Sequence, residues 1–438
     1  MNTALKLNRY NFVFDNNGQT IFYNISNNQL LFLTPELEEL ILRHQDNLIQ
    51  LEEIHPELYN ELRNREFIVD SNVDEVQTVI DHWNAKETDD THLTITILPT
   101  LNCNLRCWYC YEKHQPGTVM KEDVREKVFK LMERAVSNNR LKNLNLDFFG
   151  GEPLLGFRNI VLPILKRANE LCSLHHVDLT AYFTTNGVLL NETVVEALRG
   201  IDFATPPTFQ ITLDGNREQH DKTRGTADGK PTYETIIANI HKVLRAGMFV
   251  NARLNYTKDN ADTLTDIIQE FESLPEEIKK NIRFDFQQVW QDMSHTDARN
   301  RAREAMEYYK KKNLCVSIER NYNADRCYAD YENKLVVNYN GDLFKCTARD
   351  FDHELREGDL DENGVSHWNE RYRRRMQLKN GDATCRTCSI FPICHGGCSQ
   401  KMMETALTDG CPLSKNEKDK NEMLVGRLKF LMEHISRN

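Results

Sequence analysis

Between residues 92 and 312 the sequence alternates six times between a strand pattern and a helical pattern, which constrains the fold more than any other feature. The predicted strands are His92–Leu98, Leu144–Phe149, Val177–Phe183, Thr208–Leu213, Phe249–Tyr256 and Ile282–Val289. The predicted helices are Glu122–Ser137, Phe157–Cys172, Glu192–Leu198, Tyr233–Ala246, Ala261–Phe271 and Thr296–Lys311. This alternation predicts a parallel sheet covered by helices, with six units rather than the eight of a closed barrel. Ligands of such folds lie at the carboxyl ends of the strands.

Three cysteines follow the first predicted strand with the spacing C-x3-C-x2-C: Cys103, Cys107 and Cys110. A cubane iron–sulfur cluster usually takes four thiolates, so three thiolates leave one iron open to a ligand that is not protein. Zinc sites close with four ligands, and disulfides belong to secreted chains. The loop therefore predicts an iron–sulfur cluster with an open iron.

A second group of cysteines occupies the last third of the chain. Leu335–Val337 and Leu343–Lys345 flank the turn pair Asn340-Gly341, and this pattern predicts a hairpin that presents Cys346. The group has more cysteines than the four that one zinc ribbon needs. Its members are Cys327, Cys346, Cys385, Cys388, Cys394, Cys398 and Cys411.

Composition narrows the class of protein. At 438 residues, 28% charged and 40% apolar, the chain is long enough for two or three domains with real cores. It contains neither a charged-then-apolar leader at its start nor an 18-residue apolar run, so we expect a cytoplasmic protein without membrane spans. Twelve cysteines in such a chain favour metal over disulfides. The net charge of −11 argues against a nucleic-acid partner.

Residues 1–90 differ from the rest of the chain. The turn signal Asn16-Asn17-Gly18 predicts a hairpin, and Thr34-Pro35 predicts a capped helix start. Small strands followed by helices suggest a winged-helix-like module, and the polar stretch 86–90 is interpreted as a linker. The predicted elements are strands at Asn11–Asp15, Thr20–Tyr23 and Gln29–Leu33 and helices after Thr34 and over Pro56–Asn64.

The three-cysteine loop and the motifs after the next strands resemble the radical S-adenosylmethionine (SAM) superfamily. The resemblance implies a partial (β/α)6 barrel over residues 91–312. It also implies a 4Fe–4S cluster on Cys103, Cys107 and Cys110, whose open iron is bound by the amino and carboxylate groups of SAM. One electron from the reduced cluster then splits SAM into methionine and a 5′-deoxyadenosyl radical, which takes hydrogen from an unactivated substrate carbon.

By the same resemblance, four further patches form the SAM site. Gly150-Gly151-Glu152-Pro153 holds the amino group, whereas Thr185, Asn186 and Asp214 meet the ribose or the methionyl end. The stretch His220-Asp221-Lys222-Thr223-Arg224 resembles the His-Asp-x-x-Arg stretch of peptide-modifying members. Its arginine is either a partner of the SAM carboxylate or a surface ion-pair residue. Tyr109 packs either near the adenine or in the core.

The seven-cysteine order resembles the SPASM domain, an extension of some radical SAM enzymes, here over residues 313–438. It implies two auxiliary 4Fe–4S clusters, hence three clusters in all. The distal auxiliary cluster takes Cys385, Cys388, Cys394 and Cys411, and the nearer one takes Cys327, Cys346 and Cys398. Cys315 is either a fourth ligand of the nearer cluster or a buried thiol in the strand text Val316-Ser317-Ile318. Cys172 is interpreted as plain core.

SPASM enzymes act mostly on peptides or proteins. Residues 1–90 resemble the module with which peptide maturases bind the leader of a ribosomally made precursor, which adds a strand to a sheet edge. The resemblance therefore implies a maturase that installs a thioether or carbon–carbon cross-link. Its partners would be a leader-bearing precursor peptide and an electron donor of flavodoxin or ferredoxin type.

Three alternatives remain open from the sequence. A sulfatase maturase would form formylglycine, but such enzymes place an aspartate directly after the hairpin cysteine, where Thr347 stands here; the next acid is Asp350. A zinc-stapled binding protein would be no enzyme at all. A radical SAM enzyme acting on RNA would need a basic surface, which the acidic charge balance disfavours.

Overall fold

The computed structural model of this chain describes residues 4–16, 18–317, 326–405, 411 and 413–435. Its internal contacts divide the chain into two compact units. We call Asp89–Ile318 with Glu332–Arg373 the sheet unit, and Met1–Thr88, Glu319–Tyr331 and Arg374–Asn438 together the terminal unit. Among the described residues, no helix combines the length and the apolar character that crossing a membrane requires.

Sixteen strands occur in the described residues and are numbered in chain order. They are β1 (Leu5–Leu7), β2 (Asn11–Asn16), β3 (Gln19–Asn24), β4 (Gln29–Leu33), β5 (Ile68–Asp70), β6 (His92–Ile97), β7 (Asn143–Phe148), β8 (Asp178–Thr185), β9 (Thr208–Leu213), β10 (Phe249–Tyr256), β11 (Ile282–Gln288), β12 (Cys315–Val316), β13 (Lys334–Val337), β14 (Asp342–Phe344), β15 (Gly358–Leu360) and β16 (Ser366–Trp368).

The α-helices of the described residues are numbered in the same way. They are α1 (Pro35–Arg43), α2 (Gln50–Ile54), α3 (Pro56–Asn64), α4 (Glu75–Glu87), α5 (Glu122–Val136), α6 (Leu162–His175), α7 (Glu192–Arg199), α8 (Arg217–Thr223), α9 (Tyr233–Arg245), α10 (Glu276–Lys279), α11 (Thr296–Lys311), α12 (Glu370–Leu378), α13 (Ala383–Thr387), α14 (Phe391–Cys394), α15 (Ser399–Glu404) and α16 (Glu417–Ile435).

The sheet unit is built on one eleven-stranded sheet in the order β12-β11-β10-β9-β8-β7-β6-β13-β14-β15-β16. Strands β6 to β11 are neighbours in chain order and pair in parallel. Along β7 the buried residues alternate with half-buried polar ones, and Leu144, Leu146 and Phe148 join the main core. One face of the sheet therefore packs on helices such as α5 and α6, and the strand ends are free to present polar loops.

Most of the predicted strand and helix positions in this unit are confirmed. Residues 261–270 form a 3₁₀ rather than an α-helix, and residues 157–161 form a π turn before α6. The predicted hairpin is present as β13 and β14, with Gly341 at φ +90° in its turn. The hairpin also extends the sheet, because β13 pairs in parallel with β6, which the sequence pattern did not indicate.

The terminal unit holds the three-stranded sheet β2-β3-β4 and its helices. The cap prediction for α1 is confirmed, since the Thr34 side chain accepts a hydrogen bond from the Leu37 amide. The predicted hairpin joins β2 and β3, although Asn17 of its turn lies outside the described residues. The linker prediction is wrong at Lys86 and Glu87, because α4 continues through both residues and Glu87 is fully buried.

One core joins the two ends of the chain within the terminal unit. Tyr10, Tyr23 and Trp83 from the N-terminal part pack with Phe391 and Leu424 from the C-terminal part. The Trp83 ring contacts the Phe391 ring edge-on at 5.0 Å between centroids. The N-terminal sheet and the C-terminal helices thus bury each other's apolar faces.

Candidate functional site

The three-cysteine loop begins just after β6, at the carboxyl end of the strand where the fold predicts a ligand. Cys103 is buried, Cys107 is half-buried and Cys110 is exposed. The Leu105 amide donates a hydrogen bond to the Cys103 sulfur at 3.4 Å, and the side-chain amide of Asn186 lies 3.7 Å from the same sulfur. Hydrogen bonds of this kind stabilise a thiolate and tune the potential of an iron–sulfur cluster.

Two glycines after β7 press directly against the start of this loop. A Cβ on Gly150 would lie 2.6 Å from the Thr100 carbonyl oxygen, and one on Gly151 would lie 2.3 Å from that of Asn102. The two loops also form hydrogen bonds across this contact, since the Gly151 amide donates to the Thr100 carbonyl and the Glu152 amide donates to the Asn102 carbonyl. Only glycine permits so close an approach, so the Gly-Gly pair sets the position of the cysteine loop.

Glu152 is completely buried and bonded to the loop after β8. One carboxylate oxygen accepts from the Leu154 amide at 2.9 Å and from the Thr185 hydroxyl at 2.8 Å. The other oxygen accepts from the Asn186 amide at 2.7 Å and keeps room for a second donor. Burial raises the pKa of this carboxyl, and a bound cation would offset that cost. A carboxylate with one open acceptor position suits an ammonium group.

The Tyr109 hydroxyl connects three side chains that come from three different loops and strands. It donates to Asp214 at 2.7 Å and accepts from Arg224 at 2.9 Å and from Asn255 at 3.1 Å. Asp214 and Arg224 are both nearly inaccessible to solvent, at 1% and 6% exposure. The alternative interpretation of Arg224 as a surface ion-pair residue is therefore wrong. Asn255 was missed from the sequence, although it stands at the end of β10.

Two polar atoms in this cluster are buried without a hydrogen-bond partner: Oδ1 of Asp214 and Nε of Arg224. Burial raises the pKa of Asp214 to about 6. His220, on α8, accepts a hydrogen bond from the Asp214 amide at 3.4 Å. Burial holds the pKa of His220 well below its ordinary value. Unpaired buried polar atoms cost free energy, so they indicate a place for a polar ligand. These observations fit SAM, whose amino, carboxylate and ribose groups supply both donors and acceptors.

The thiols of the loop fit a metal cluster by their chemistry. Burial raises the pKa of the Cys103 thiol to about 12, so this thiol is protonated at neutral pH until a metal takes the proton's place. Within the described residues, no three His, Cys, Asp or Glu side chains converge closely enough to chelate one ion. A cubane usually takes one thiolate at each iron, so the sulfur ligands of a cubane lie farther apart than the ligands of a single metal ion.

A second concentration of thiols lies in the terminal unit around a cavity of about 330 Å³. All four cysteines assigned by resemblance to the distal auxiliary cluster line this one cavity, together with apolar residues such as Ile390 and Phe391 and the lysines Lys415 and Lys420. Those four cysteines are Cys385, Cys388, Cys394 and Cys411. Four thiols around one cavity match the ligand count of a cubane.

The remaining cysteines are placed as follows. Cys327 and Cys398 belong to the terminal unit and are exposed, whereas Cys346 follows β14 in the sheet unit and is half-buried. Cys315 is exposed on β12, so its interpretation as a buried thiol is wrong; Ile318 of the same predicted strand lies outside the described residues. Cys172 is buried in α6 as a core residue, as predicted.

Comparison with known proteins agrees with this geometry. Residues 97–271 match the model of the Radical SAM superfamily. A cysteine-type anaerobic sulfatase-maturating enzyme of Clostridium novyi is 24% identical over 70% of this chain and 87% of its own length. The radical SAM cyclopropyl synthase TigE of Paramaledivibacter caminithermalis is 23% identical over 49% of this chain, and the match spans about half (47%) of that enzyme.

Two groups of solved structures share the fold. The native anSMEcpe structure with bound AdoMet and Kp18Cys peptide superposes with a TM-score of 0.58 at 16% identity, over 79% of this chain and 100% of that one. SuiB of Streptococcus suis bound to S-adenosylmethionine superposes with a TM-score of 0.52 at 17% identity, over 92% of this chain and 97% of SuiB. SuiB is also known bound to its precursor peptide SuiA.

Proposed function

We propose that this chain, in which residues 97–271 form a radical SAM domain, is a maturase that uses SAM to install a cross-link in a ribosomally made peptide. The observation that carries the proposal is the convergence of four strand ends on one buried site. Asn186 forms hydrogen bonds with both Cys103 and Glu152. Tyr109 does the same with Asp214 and Arg224, and the Arg224 charge acts on the Cys103 thiol and the Glu152 carboxylate.

The ammonium and the carboxylate of SAM would each have a partner in this site. Cys103, Cys107 and Cys110 would hold the cluster, and Glu152 would accept from the ammonium of SAM. Arg224 would pair with its carboxylate in two parallel hydrogen bonds. When bound, the cluster and SAM supply a 5′-deoxyadenosyl radical, which removes a hydrogen atom from substrate carbon. The sequence-derived contacts of Gly150, Pro153, Thr185, Asn186 and Tyr109 belong to the same proposal.

The cavity in the terminal unit supports a distal auxiliary cluster on Cys385, Cys388, Cys394 and Cys411. The nearer cluster, on Cys327, Cys346 and Cys398, rests on the sequence order of the cysteines. The exposed thiol of Cys315 keeps that residue a candidate for its fourth ligand. A second or third cluster would accept the surplus electron of a cross-linking reaction or hold a substrate thiolate.

A peptide substrate is supported by the N-terminal module. Both groups of structural neighbours include peptide complexes, since anSMEcpe is known with bound Kp18Cys peptide and SuiB with precursor peptide SuiA. The module's small sheet has open outer edges on β2 and β4 within the described residues. An extended leader can add a strand to such an edge.

Co-expression with a candidate precursor tests the proposal. A short reading frame next to the gene would supply the peptide, and mass spectrometry would follow it. Formation of a thioether or carbon–carbon cross-link removes two hydrogens, so we expect a loss of about 2 Da per cross-link, read against the unmodified peptide. An unchanged peptide mass, alongside active SAM cleavage by the same preparation, would contradict a cross-linking maturase.

A second candidate, formylglycine formation, is favoured by the sulfatase-maturating relative that this chain matches over 87% of that relative's length. Against it, Asp350, the nearest acid after Cys346, is tied to Lys113 by a 2.8 Å ion pair. An assay on a sulfatase peptide with Cys at the target position separates the two. Conversion of that peptide to formylglycine would replace the cross-linking proposal.

Leader docking is tested at the two open edges. Phe32 on β4 and Val13 on β2 are 43% and 55% exposed, so Phe32→Asp and Val13→Asp should fold normally. We expect one of the two variants to weaken leader binding at least tenfold by fluorescence anisotropy, and thereby to identify the edge. Wild-type affinity in both variants would refute docking at this sheet.

A further inference from the structure

A group of buried charged and polar side chains in the terminal unit has no part in the SAM site. We call it the polar core; it consists of Glu87, Arg326, Asp330, Lys379 and Ser399. The side chains of Glu87 and Arg326 are each 1% exposed, that of Asp330 2% and that of Lys379 8%. Ionised groups are rarely buried to this degree unless they are paired.

Ion pairs and one hydrogen bond connect the polar core, in which Oε1 of Glu87 and Nε of Arg326 form no hydrogen bond. Glu87 pairs with Arg326 at 2.8 Å through one carboxylate oxygen and with Lys379 at 2.7 Å through the other. Arg326 lies 3.8 Å from Asp330, whose other oxygen accepts from the Ser399 hydroxyl at 2.5 Å. The Arg326 guanidinium also lies over the Trp83 ring, 4.8 Å from its centroid.

Such a network is a weak source of stability, because removing two charges from water costs about as much as their attraction returns. In proteins generally, replacing a buried ion pair by apolar side chains of similar volume is often neutral or stabilising. Buried ion pairs are better attested as devices that hold a structure in one arrangement.

Two members of the polar core are neighbours of cysteines in the sequence. Arg326 directly precedes Cys327, and the Asp330 amide donates to the Cys327 carbonyl at 3.0 Å. Ser399 directly follows Cys398. Both thiols are exposed, but the backbone beside each is anchored to the same buried network. Loss of the contacts of Glu87 or Ser399 would detach the segments that carry these two thiols from the polar core.

We propose that the polar core positions Cys327 and Cys398 as ligands of one iron–sulfur cluster, and that its charges tune the reduction potential of that cluster. The proposal rests on the auxiliary clusters of the proposed function. The residues of the polar core act through the two cysteines and are positioning residues rather than catalytic ones. Because Glu87 ends α4, the same contacts also tie this cluster to the helix that packs on the leader-binding sheet.

The electrostatic consequence has a definite sign. One-electron reduction adds a negative charge to a cluster, and buried charges act on it through a low dielectric. Loss of the Lys379 cation should therefore disfavour reduction and lower the potential. Loss of the Glu87 anion should favour reduction and raise it.

The test is a redox titration of the full-length reconstituted protein with dithionite, followed by electron paramagnetic resonance of the auxiliary signals. Glu87→Gln and Lys379→Met are compared with the double variant and with Glu39→Gln. The last is a matched control, because Glu39 forms an exposed ion pair with Arg43 in the same unit. Iron and sulfide per chain are measured in parallel.

We expect a higher potential in Glu87→Gln, a lower one in Lys379→Met, a near-normal one in the double variant and no change in Glu39→Gln. With iron at the wild-type level, the inference is overturned if the reduction potential shifts in the same direction in both charge variants, or if it shifts in neither. If Glu87→Gln does not fold, the direction of the Lys379→Met shift decides. Wild-type protein with only about four irons would instead overturn the auxiliary clusters themselves.

Discussion

The Tyr109 hydroxyl is the residue-scale centre of the site, because it joins Asp214, Arg224 and Asn255. Tyr109→Phe leaves these buried groups short of one partner, which typically costs about 1–3 kcal/mol. We expect SAM affinity to fall about tenfold or more, measured by calorimetry on the reconstituted protein. Tyr111→Phe is the control, since the Tyr111 side chain is exposed; an equal loss in both variants would refute the special role of Tyr109.

Asp147 on β7 provides a residue-scale prediction about pH. Burial raises its pKa to about 6, above the value of about 3.9 in an unfolded chain. The folded state therefore binds the proton more tightly, and the contribution of Asp147 to stability declines as pH rises from about 4 to about 6. Asp147→Asn should raise the free energy of unfolding at pH 7.5 by ~2 kcal/mol, seen as a higher unfolding temperature, but should change the unfolding temperature little at pH 4.

Thermal unfolding at the two pH values measures this effect. Asp178→Asn is the matched control, because Asp178 lies exposed at the start of the neighbouring strand β8. A stabilisation of Asp147→Asn that is equal at pH 4 and pH 7.5 would show that the carboxyl does not titrate as described.

At the scale of elements, the contact between the loops after β6 and β7 sets the cluster site. Gly151→Ala places a Cβ against backbone, 2.3 Å from the Asn102 carbonyl oxygen, so one loop has to move. We expect the variant to lose the iron of the SAM cluster and 5′-deoxyadenosine formation, both at least tenfold. Gly200→Ala meets nothing closer than 3.5 Å and should retain both; full activity in Gly151→Ala would contradict the close approach.

The sequence predicted the strand ends well, because motifs of short range fix them. Gly150-Gly151-Glu152 and Asn186 lie where their strands end, and the parallel order of β6 to β11 brings them together. The contribution of Asn255 was not predictable, since a single asparagine at a strand end carries no pattern. The burial of Arg224 depends on α8 and its contacts with distant loops, which local sequence does not encode.

At the scale of the whole molecule, pairing between distant segments could not be predicted from the sequence. The parallel pairing of β13 with β6 and the shared core of the two chain ends join residues more than 200 positions apart. The polar composition of residues 86–90 predicts a linker, because composition alone does not show that Glu87 forms ion pairs with Arg326 and Lys379. Such contacts depend on the assembled unit.

The shared core makes a prediction about the N-terminal module. Trp83→Ala removes the ring that packs on Phe391, His395 and Arg326, which typically costs about 3–5 kcal/mol. We expect a lower unfolding midpoint and loss of about four irons per chain, because the cavity with four thiols adjoins this core. Trp290→Ala, at a 57% exposed tryptophan of the sheet unit, should retain all iron. Unaltered iron in Trp83→Ala would contradict the dependence.

The most direct measurement for the whole account is 5′-deoxyadenosine formation by anaerobically reconstituted protein under dithionite, with and without the three loop cysteines. We predict that replacement of Cys103, Cys107 and Cys110 by Ala abolishes the product and removes about four of about twelve irons, leaving about eight. Undiminished 5′-deoxyadenosine from the triple variant, or a wild-type protein that binds zinc and no iron, would contradict the account.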